Sequence, residues 1–165
     1  MSFQNQFTKT TTDANLMETV HHGSAEYPFR YYYENIALFD FKCIDWHWHS
    51  QLEFIYIESG NVVFDIGTVH FELNEGNGIM INSKILHRLQ SSSDAIIPNF
   101  LFQPSFIAPQ DSLIYKKYIN PVISSSLEYL VFQPDIPWQK KALEIIKTII
   151  TVQETEFNRE IIVSM

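Results

Sequence analysis

Four side chains that can bind a metal ion or a polar ligand stand between positions 47 and 87 of this sequence. His47, His49 and Glu53 are all at odd positions, and side chains of equal parity face the same side of a β-strand. His87 follows after two more strand-like stretches, so a sheet that folds over could bring it opposite the other three. Three imidazoles and one carboxylate with open coordination positions could hold a divalent ion such as Zn, Ni, Mn or Fe.

Two interpretations without a metal stay open for the same residues. In one, the four side chains and Arg88 line a polar, metal-free pocket for an organic molecule. In the other, His47 and His49 are hydrogen-bonded core residues, and Glu53 pairs with Arg88 or with a histidine. We take His47, His49, Glu53, His87 and Arg88 as candidate ligand-binding residues and the first four also as candidate metal ligands, and we predict no catalytic residue.

Length and composition predict one domain with a β-rich core. The chain has 165 residues, of which 45% are hydrophobic, and this is enough for one core but too short for two comfortable domains. Aromatic residues make up 15%, with 13 Phe and 8 Tyr against only 5 Gly, and this favours strands packed around large side chains.

Charge and targeting signals exclude several classes of function. The formal net charge is −8, and no basic cluster exceeds a pair such as Lys116-Lys117, so we expect the chain not to bind DNA by itself. The single Cys43 cannot form an internal disulfide and fits a reducing compartment. No apolar stretch resembles a signal peptide or a membrane span, so we predict a cytoplasmic protein without membrane contact.

Short strand-like stretches recur along the first two thirds of the chain. They cover 29–41, 45–58, 62–66, 69–73, 79–81, 86–90 and 96–103. Gly67-Thr68 predicts a tight hairpin, and polar turns follow at 74–78 and 91–94. Regularly spaced short strands of this kind predict a sandwich or a barrel.

The last third has the spacing of a helix. Over 140–159 an apolar stripe is formed by Leu143, Ile146, Ile149 and Ile150, and it continues with Phe157 and Ile161. This stripe could be buried against a partner in a dimer or against the chain's own barrel. Because no Gly or Pro ends the helix before Met165, we expect the natural protein to continue past this residue.

Part of the chain resembles the cupins. The first cupin motif has the spacing seen here in His47-x-His49-x3-Glu53-x6-Gly60, and the second has the spacing of Gly76 to His87. Asn82 and Lys84 depart from the second motif, which usually has Pro and Gly at these positions.

A more specific resemblance covers nearly all of 20–138 and points to the N-terminal effector domain of AraC-type transcription regulators. The matching pieces, in chain order, are His22-Gly23-Ser24, Pro28-Phe29, Trp46 to His49, Gly78 to Asn82, His87, Phe102-x-Pro104, Lys117-Tyr118-x-x-Pro121 and Trp138. The resemblance implies a double-stranded β-helix (jelly-roll) barrel followed by C-terminal helices, with a small effector bound in the barrel and a homodimer formed through the helices.

On this basis we divide the chain into a flexible arm at 1–20, a ligand-sensing cupin barrel at 21–108 and a helical dimerisation and linker segment at 109–165. The resemblance implies that DNA is bound only through a C-terminal helix-turn-helix domain, which this chain does not contain. The expected effector is a sugar or another small polar or carboxylate compound. Its binding would shift the arm at 2–22 and the helix at 140–159 between two arrangements.

The alternative is a small metal-dependent cupin enzyme of the dioxygenase or isomerase type, for which the four ligands would supply the metal site. Against it, we find no second acid–base pair on the motif strands, and the arm and tail helix suit a regulator better. His21, His22 and His70 are expected at the surface and are given no role.

Overall fold

The computed structural model describes residues 9–155 and residue 163. These residues form two antiparallel sheets followed by helices. The strands are β1 Phe29–Asn35, β2 Cys43–His47, β3 Leu52–Tyr56, β4 Asn61–Ile66, β5 Val69–Asn74, β6 Gly78–Ile81, β7 His87–Gln90, β8 Ile96–Phe102 and β9 Tyr129–Phe132; the α-helices are α1 Asn120–Ile123 and α2 Pro137–Thr155. The expected β-barrel with helices after it is confirmed.

The two sheets face each other across the main core. The five-stranded sheet has the order β1-β8-β3-β6-β9 and the four-stranded sheet the order β2-β7-β4-β5. Consecutive strands such as β2 and β3 lie in different sheets, so the chain crosses repeatedly between the two layers. The core between them is built from side chains of both sheets, among them Ile44, Phe64, Leu89, Ile55 and Ile97. Burial of this inner face is the main contribution to the stability of the barrel.

Turn chemistry places the strands as the sequence predicts. The β4–β5 hairpin turns at Gly67, whose φ of +55° lies in the left-handed region that favours glycine. The stretch at 29–41 is strand only as far as Asn35. There the Asn35 side chain accepts a hydrogen bond from the N–H of Ala37 at 2.9 Å and starts a short 3₁₀ turn, which ends the strand.

A second hydrophobic layer lies on the outer face of the five-stranded sheet. Phe54, Phe100 and Phe102 stack with ring centroids 5.3 to 6.4 Å apart, and Phe29 and Phe132 extend this stack across neighbouring strands. Stacked aromatic side chains on adjacent strands form a flat apolar surface that must be covered to leave water.

Helix α2 covers this surface with its apolar stripe. Leu143, Ile146 and Ile150 are buried in the aromatic layer, so of the two alternatives for this stripe the structure shows packing on the chain's own barrel. The approach is close: a Cβ at Gly78 would lie 2.8 Å from Cδ2 of Leu143, which only glycine avoids. The predicted continuation through Phe157 and Ile161 lies outside the described residues.

The segment between the barrel and α2 contains elements that the sequence did not predict. After a short 3₁₀ turn at Pro104–Phe106, a π-helical turn at Tyr115–Ile119 leads into α1. Strand β9 then pairs with β6 and closes one edge of the five-stranded sheet. The short run Tyr-Leu-Val-Phe after a serine-rich stretch was not identified as a strand because it is only four residues long.

Residues 9–20 run along the barrel. Met17 forms a bridge with Trp48, Leu16 O accepts from Trp48 N at 3.0 Å, and the Trp48 indole donates to Asn15 O at 2.9 Å. Trp48 therefore contacts the arm, which is one of the three places predicted for the even-numbered aromatic residues of this stretch. Phe54 lies on the outer sheet, another of those places.

Candidate functional site

The four candidate ligands meet at one point inside the barrel. One ligand atom from each of His47, His49, Glu53 and His87 lies within 4.8 Å of the others, and all four residues are buried. His47 and His87 are directly opposite each other in the β2–β7 pair of one sheet, while Glu53 comes from β3 of the other. The site therefore lies between the two sheets and depends on both.

The route by which the ligands converge differs from the sequence-based explanation. Strand β2 ends at His47, and residues 48–51 cross from one sheet to the other before β3 begins at Leu52. His49 lies in this crossing, where its carbonyl accepts from the N–H of Lys84 at 2.7 Å. Shared parity on one strand is thus not what brings His49 and Glu53 together; the crossing between sheets does so.

Each histidine ring is oriented by a backbone carbonyl close to it in sequence. The Nδ1 contacts are His47 to Asp45 O at 2.8 Å, His49 to Gln51 O at 3.2 Å and His87 to Ile85 O at 2.8 Å. A carbonyl can only accept, so each Nδ1 carries the proton and donates. In the neutral ring, Nε2 then has the lone pair, and this is the tautomer in which an imidazole binds a metal through Nε2.

Glu53 supplies the one negative charge among these four residues. Its Oε2 lies 3.2 Å from Nε2 of both His49 and His87. Burial alone would raise the pKa of Glu53, but contacts with these two rings outweigh it and hold the pKa well below its usual value. Burial lowers the pKa of His47 to about 3, so this ring is neutral at physiological pH.

These four residues fit a divalent ion better than they satisfy one another. With Nδ1 protonated, Nε2 of His49 or His87 can donate to Glu53 only if the ring becomes a cation. Nε2 of His87 is buried without a hydrogen-bond partner although a carboxylate oxygen is 3.2 Å away. Lone pairs and a carboxylate that converge on one buried point are the donor set that Zn, Ni, Mn and Fe take.

Arg88 does not share this point, although the sequence analysis grouped it with the candidate ligands. It follows His87 on β7, and consecutive side chains of a strand point to opposite faces. Its guanidinium donates to Asp65 Oδ2 from Nε at 3.0 Å and Nη2 at 2.8 Å, and it lies over the Trp46 ring. Asp65 also contacts His70, whose side chain is exposed as expected.

The two departures from the second cupin motif are accommodated locally. Lys84 has a φ of +63°, which is the conformation that glycine adopts most easily. Asn82 is buried and donates from Nδ2 to the carbonyls of Val122 and Leu127 at 2.9 and 2.7 Å, while its Oδ1 accepts from Ser83 N. The turn between β6 and β7 is therefore kept in shape without Pro or Gly.

A second group of polar residues lines the same chamber and was missed from the sequence. It comprises Glu18, His22, Tyr32, Glu34 and Asn99. His22 was expected at the surface but is 8% exposed, because Nε2 contacts Glu18 Oε2 and Nδ1 contacts Tyr32 OH, both at 2.8 Å. No spacing rule links these residues, since they come from the arm, β1 and β8.

Glu34 is the most perturbed carboxyl of this second group. Asn99 Nδ2 donates to its Oε2 at 2.8 Å. Burial is the largest influence on the Glu34 carboxyl and, together with the nearby charge of Glu53, raises its pKa to about 8. Burial also raises the pKa of Tyr32 to about 12.

The chamber that joins the two groups is small and acidic. Its volume is about 30 Å³, room for roughly two ordered waters. Three carboxylates line it, those of Glu18, Glu34 and Glu53, and no Lys or Arg is among the lining residues that the structure describes. A ligand much larger than a few atoms therefore requires residues 9–22 to shift, because Thr10, Glu18, Val20 and His22 form one wall.

Relatives of known sequence point to a regulator. Residues 40–109 match the family of AraC-like ligand binding domains. The chain is also 31% identical over 140 residues to the uncharacterized HTH-type transcriptional regulator YdeC of Bacillus subtilis, a match that covers 83% of this chain and 47% of the relative. The chain thus spans about half the length of this curated relative.

Solved structures agree on the fold. An apo variant of ToxT from Vibrio cholerae superposes with a TM-score of 0.53 at 10% identity, covering 87% of this chain and 53% of ToxT. Oxalate decarboxylase of Bacillus subtilis superposes over 37% of this chain and 18% of the enzyme, with 18% identity and a TM-score of 0.34.

In the part of the chain that the structure describes, no helix has the length and apolar character needed to cross a membrane. The family match extends over both ligand strands and His87, and the ToxT superposition extends it to the helices. The chain therefore belongs to the cupin-type, AraC-like ligand binding domains of AraC-family transcriptional regulators.

Proposed function

We propose that this chain senses a small polar effector in its barrel, and that His47, His49, Glu53 and His87 hold a divalent ion beside which the effector binds. The observation that carries the proposal is the convergence of these four ligands at a buried point, with each Nδ1 already donating to a carbonyl. A site organised in this way before any ligand arrives loses little entropy on binding.

The residues have separate tasks in this proposal. His47, His49, Glu53 and His87 would hold the ion, which as a Lewis acid would bind and polarise an oxygen of the effector. Burial between the sheets excludes bulk water and strengthens each polar contact. Glu18 and His22 belong both to the chamber wall and to the segment 9–22, so an effector that contacts them favours one position of this segment over another.

For the whole protein we keep the division into arm 1–20, sensing barrel 21–108 and dimerisation and linker segment 109–165. Support comes from the regulator relative and from apolar side chains that are exposed around the helices. These are Ile107, Leu113, Ile114, Tyr118, Trp138 and Ile145. In this proposal the chain forms a homodimer through this surface, acts in the cytoplasm and reaches DNA through another domain.

The metal part is tested by elemental analysis of the purified chain and by zinc titration. We expect about one zinc per chain, and loss of a ligand in His87→Ala or Glu53→Gln to weaken binding by at least about 100-fold. His21→Ala is the matched control, because it removes an exposed histidine that has no contact with the cluster. Equal zinc affinity in all four proteins would contradict the proposal.

The regulatory part is tested by the mass of the particle in solution. Sedimentation velocity of the chain at increasing concentration should show a monomer–dimer equilibrium, and Trp138→Asp together with Ile145→Asp should shift it to monomer. A monomer at all concentrations would contradict dimerisation through this surface. The same pair of changes should leave zinc binding as it is, because both side chains are exposed on α2.

A metal-dependent enzyme is the second candidate function. One observation favours it: Glu34 and the Glu18–His22–Tyr32 chain lie beside the ligand cluster, whereas the sequence analysis found no acid–base pair there. The two candidates differ in the fate of a bound compound. Consumption of the compound by metal-loaded protein, followed by NMR over time, would favour the enzyme, and a stable complex would favour the sensor.

A further inference from the structure

The end of the chamber away from the ligand cluster offers hydrogen-bond acceptors without donors. Asn99 is 2% exposed, and its Nδ2 donates both to Glu34 Oε2 at 2.8 Å and to Ile97 O at 3.0 Å. Because both partners are acceptors, the amide orientation is fixed and Oδ1 faces away from them. Among the described residues, none donates to Asn99 Oδ1.

Two carboxylate oxygens share this condition. Glu34 accepts from Asn99 through Oε2, and its Oε1 has no hydrogen-bond partner among the residues that the structure describes. Glu18 contacts His22 through Oε2, and within the same described part its Oε1 is also without one. Buried acceptors are normally paired, so three unpaired ones on a single chamber wall indicate a ligand that brings several donors.

The charges around this wall are also one-sided. Glu34 lies close enough to Glu53 and Glu18 for both carboxylates to act on it, and no lining Lys or Arg offsets them in the described chain. Arg30 lies over the outer part of β1, 5.7 Å from the Tyr32 ring centroid, and does not line the chamber. A divalent ion at the other end would be offset first by its own ligand Glu53.

From these observations, and building on the proposed effector site, we propose that Glu34, Glu18 and Asn99 form a subsite for a protonated amine. The effector is then a small cationic molecule whose ammonium group donates to these three residues while an oxygen faces the ligand cluster. An ammonium has three donors and one positive charge, which matches both the acceptors and the charge of this wall. A carboxylate would meet Glu34 and Glu18 without a cation between them.

The test uses three probes that share a two-carbon frame with one hydroxyl. Ethanolamine, 1,2-ethanediol and glycolate carry at the other end an ammonium, a hydroxyl or a carboxylate. Each is titrated at pH 7 into the full 165-residue chain, both zinc-loaded and metal-free, and followed by NMR. Molecules of this size bind at best with dissociation constants of about 0.1 to 1 mM, so millimolar probe concentrations are needed.

We expect ethanolamine to bind at least about tenfold more tightly than either other probe. Glu34→Gln should remove most of this preference, and Glu18→Gln should reduce it by a smaller factor. Glu75→Gln is the matched control, because it removes an exposed carboxylate far from the chamber lining. If Glu34→Gln does not fold, Glu18→Gln still decides the outcome, since glutamine can keep the contact with His22.

The outcomes separate this inference from the proposed function. Equal affinity for 1,2-ethanediol or tighter binding of glycolate overturns the amine subsite, as does the absence of ethanolamine binding or a preference that survives Glu34→Gln and Glu18→Gln. Zinc binding without an amine preference therefore overturns the subsite alone. An amine preference that depends on Glu34 in a chain that binds no zinc upholds the subsite while the metal part of the proposed function fails.

Discussion

The two ends of the chamber are built in different ways. At the ligand cluster, each histidine is oriented by a carbonyl two residues away, so the geometry depends on short-range contacts. At the opposite end, Glu34 depends on Asn99 across the β1–β8 pair, and His22 depends on Glu18 in the arm. The cluster is organised by its own strands, while the acidic wall exists only once distant segments have come together.

This difference separates two roles. The cluster holds lone pairs and a carboxylate in a fixed arrangement, as a site for an ion requires. The acidic wall has unpaired acceptors and includes part of the segment 9–22, so its shape can change with the position of that segment. We infer that the cluster provides affinity for the ion and the wall provides selectivity and response.

The largest effect should come from breaking the cluster while leaving the wall intact. Zinc at about 100 times its dissociation constant should raise the free energy of unfolding by about 2.7 kcal/mol, because it binds only the folded state. In Glu53→Gln this increase should be lost, while Glu34→Gln should keep it. Thermal unfolding with and without zinc measures the increase in each protein.

The size of that increase, and not the stability of each metal-free variant, is the quantity that matters. Removing the Glu53 carboxylate changes the metal-free protein as well, and the difference with zinc cancels this change. A zinc-dependent increase in Glu53→Gln equal to that of the unchanged chain would show that the ion binds elsewhere.

An intermediate effect should come from breaking the wall. Burial, together with the charge of Glu53, raises the pKa of Glu34 to about 8, so in the metal-free protein the folded state holds this proton where the unfolded state has lost it. By linkage, Glu34 lowers the free energy of unfolding as pH rises from about 4.5 to about 8. Glutamine at this position does not ionise.

Glu34→Gln should therefore gain stability relative to the unchanged chain between pH 5 and pH 8. We expect a gain of about 2 kcal/mol, measured by urea unfolding of metal-free protein at both pH values. Glu75→Gln, at an exposed position, should show no such change with pH. A relative stability of Glu34→Gln that falls toward pH 8 would mean that Glu34 is ionised and paired in the folded state.

The sequence predicted the cluster because its signal is local. Residues 47, 49, 53 and 87 follow a known spacing, and short strands with turns between them predicted the barrel around it. The same reasoning grouped Arg88 with the ligands, although strand alternation after His87 places it on the other face. Applying that alternation to β7 would have corrected the grouping.

The wall could not be predicted in this way because its residues meet only through tertiary contacts. Tyr32 and Glu34 share a face of β1, which alternation could have suggested, but their position relative to Asn99 depends on the register Tyr32↔Asn99. His22 lies in an irregular segment, where no periodicity indicates burial. Strand β9 was missed for the related reason that its pairing with β6 follows a long connection.

The smallest effect concerns the backbone that supports the cluster. Lys84 has a φ of +63° and an exposed side chain, and its N–H donates to His49 O at 2.7 Å. Lys84→Gly should relieve about 1 to 2 kcal/mol of left-handed strain, while the added freedom of glycine in the unfolded chain offsets about 0.5 to 1 kcal/mol. The net gain should be about 0.5 kcal/mol in urea unfolding.

Lys84→Val is the informative counterpart, because a β-branched side chain tolerates a positive φ poorly. We expect it to lower stability and, by displacing the N–H that holds the His49 carbonyl, to weaken zinc binding, whereas Lys84→Gly should leave zinc binding unchanged. If both substitutions change zinc affinity equally, the lysine side chain and not the backbone supports the cluster. If neither does, the orientation of His49 depends on its contact with Gln51 alone.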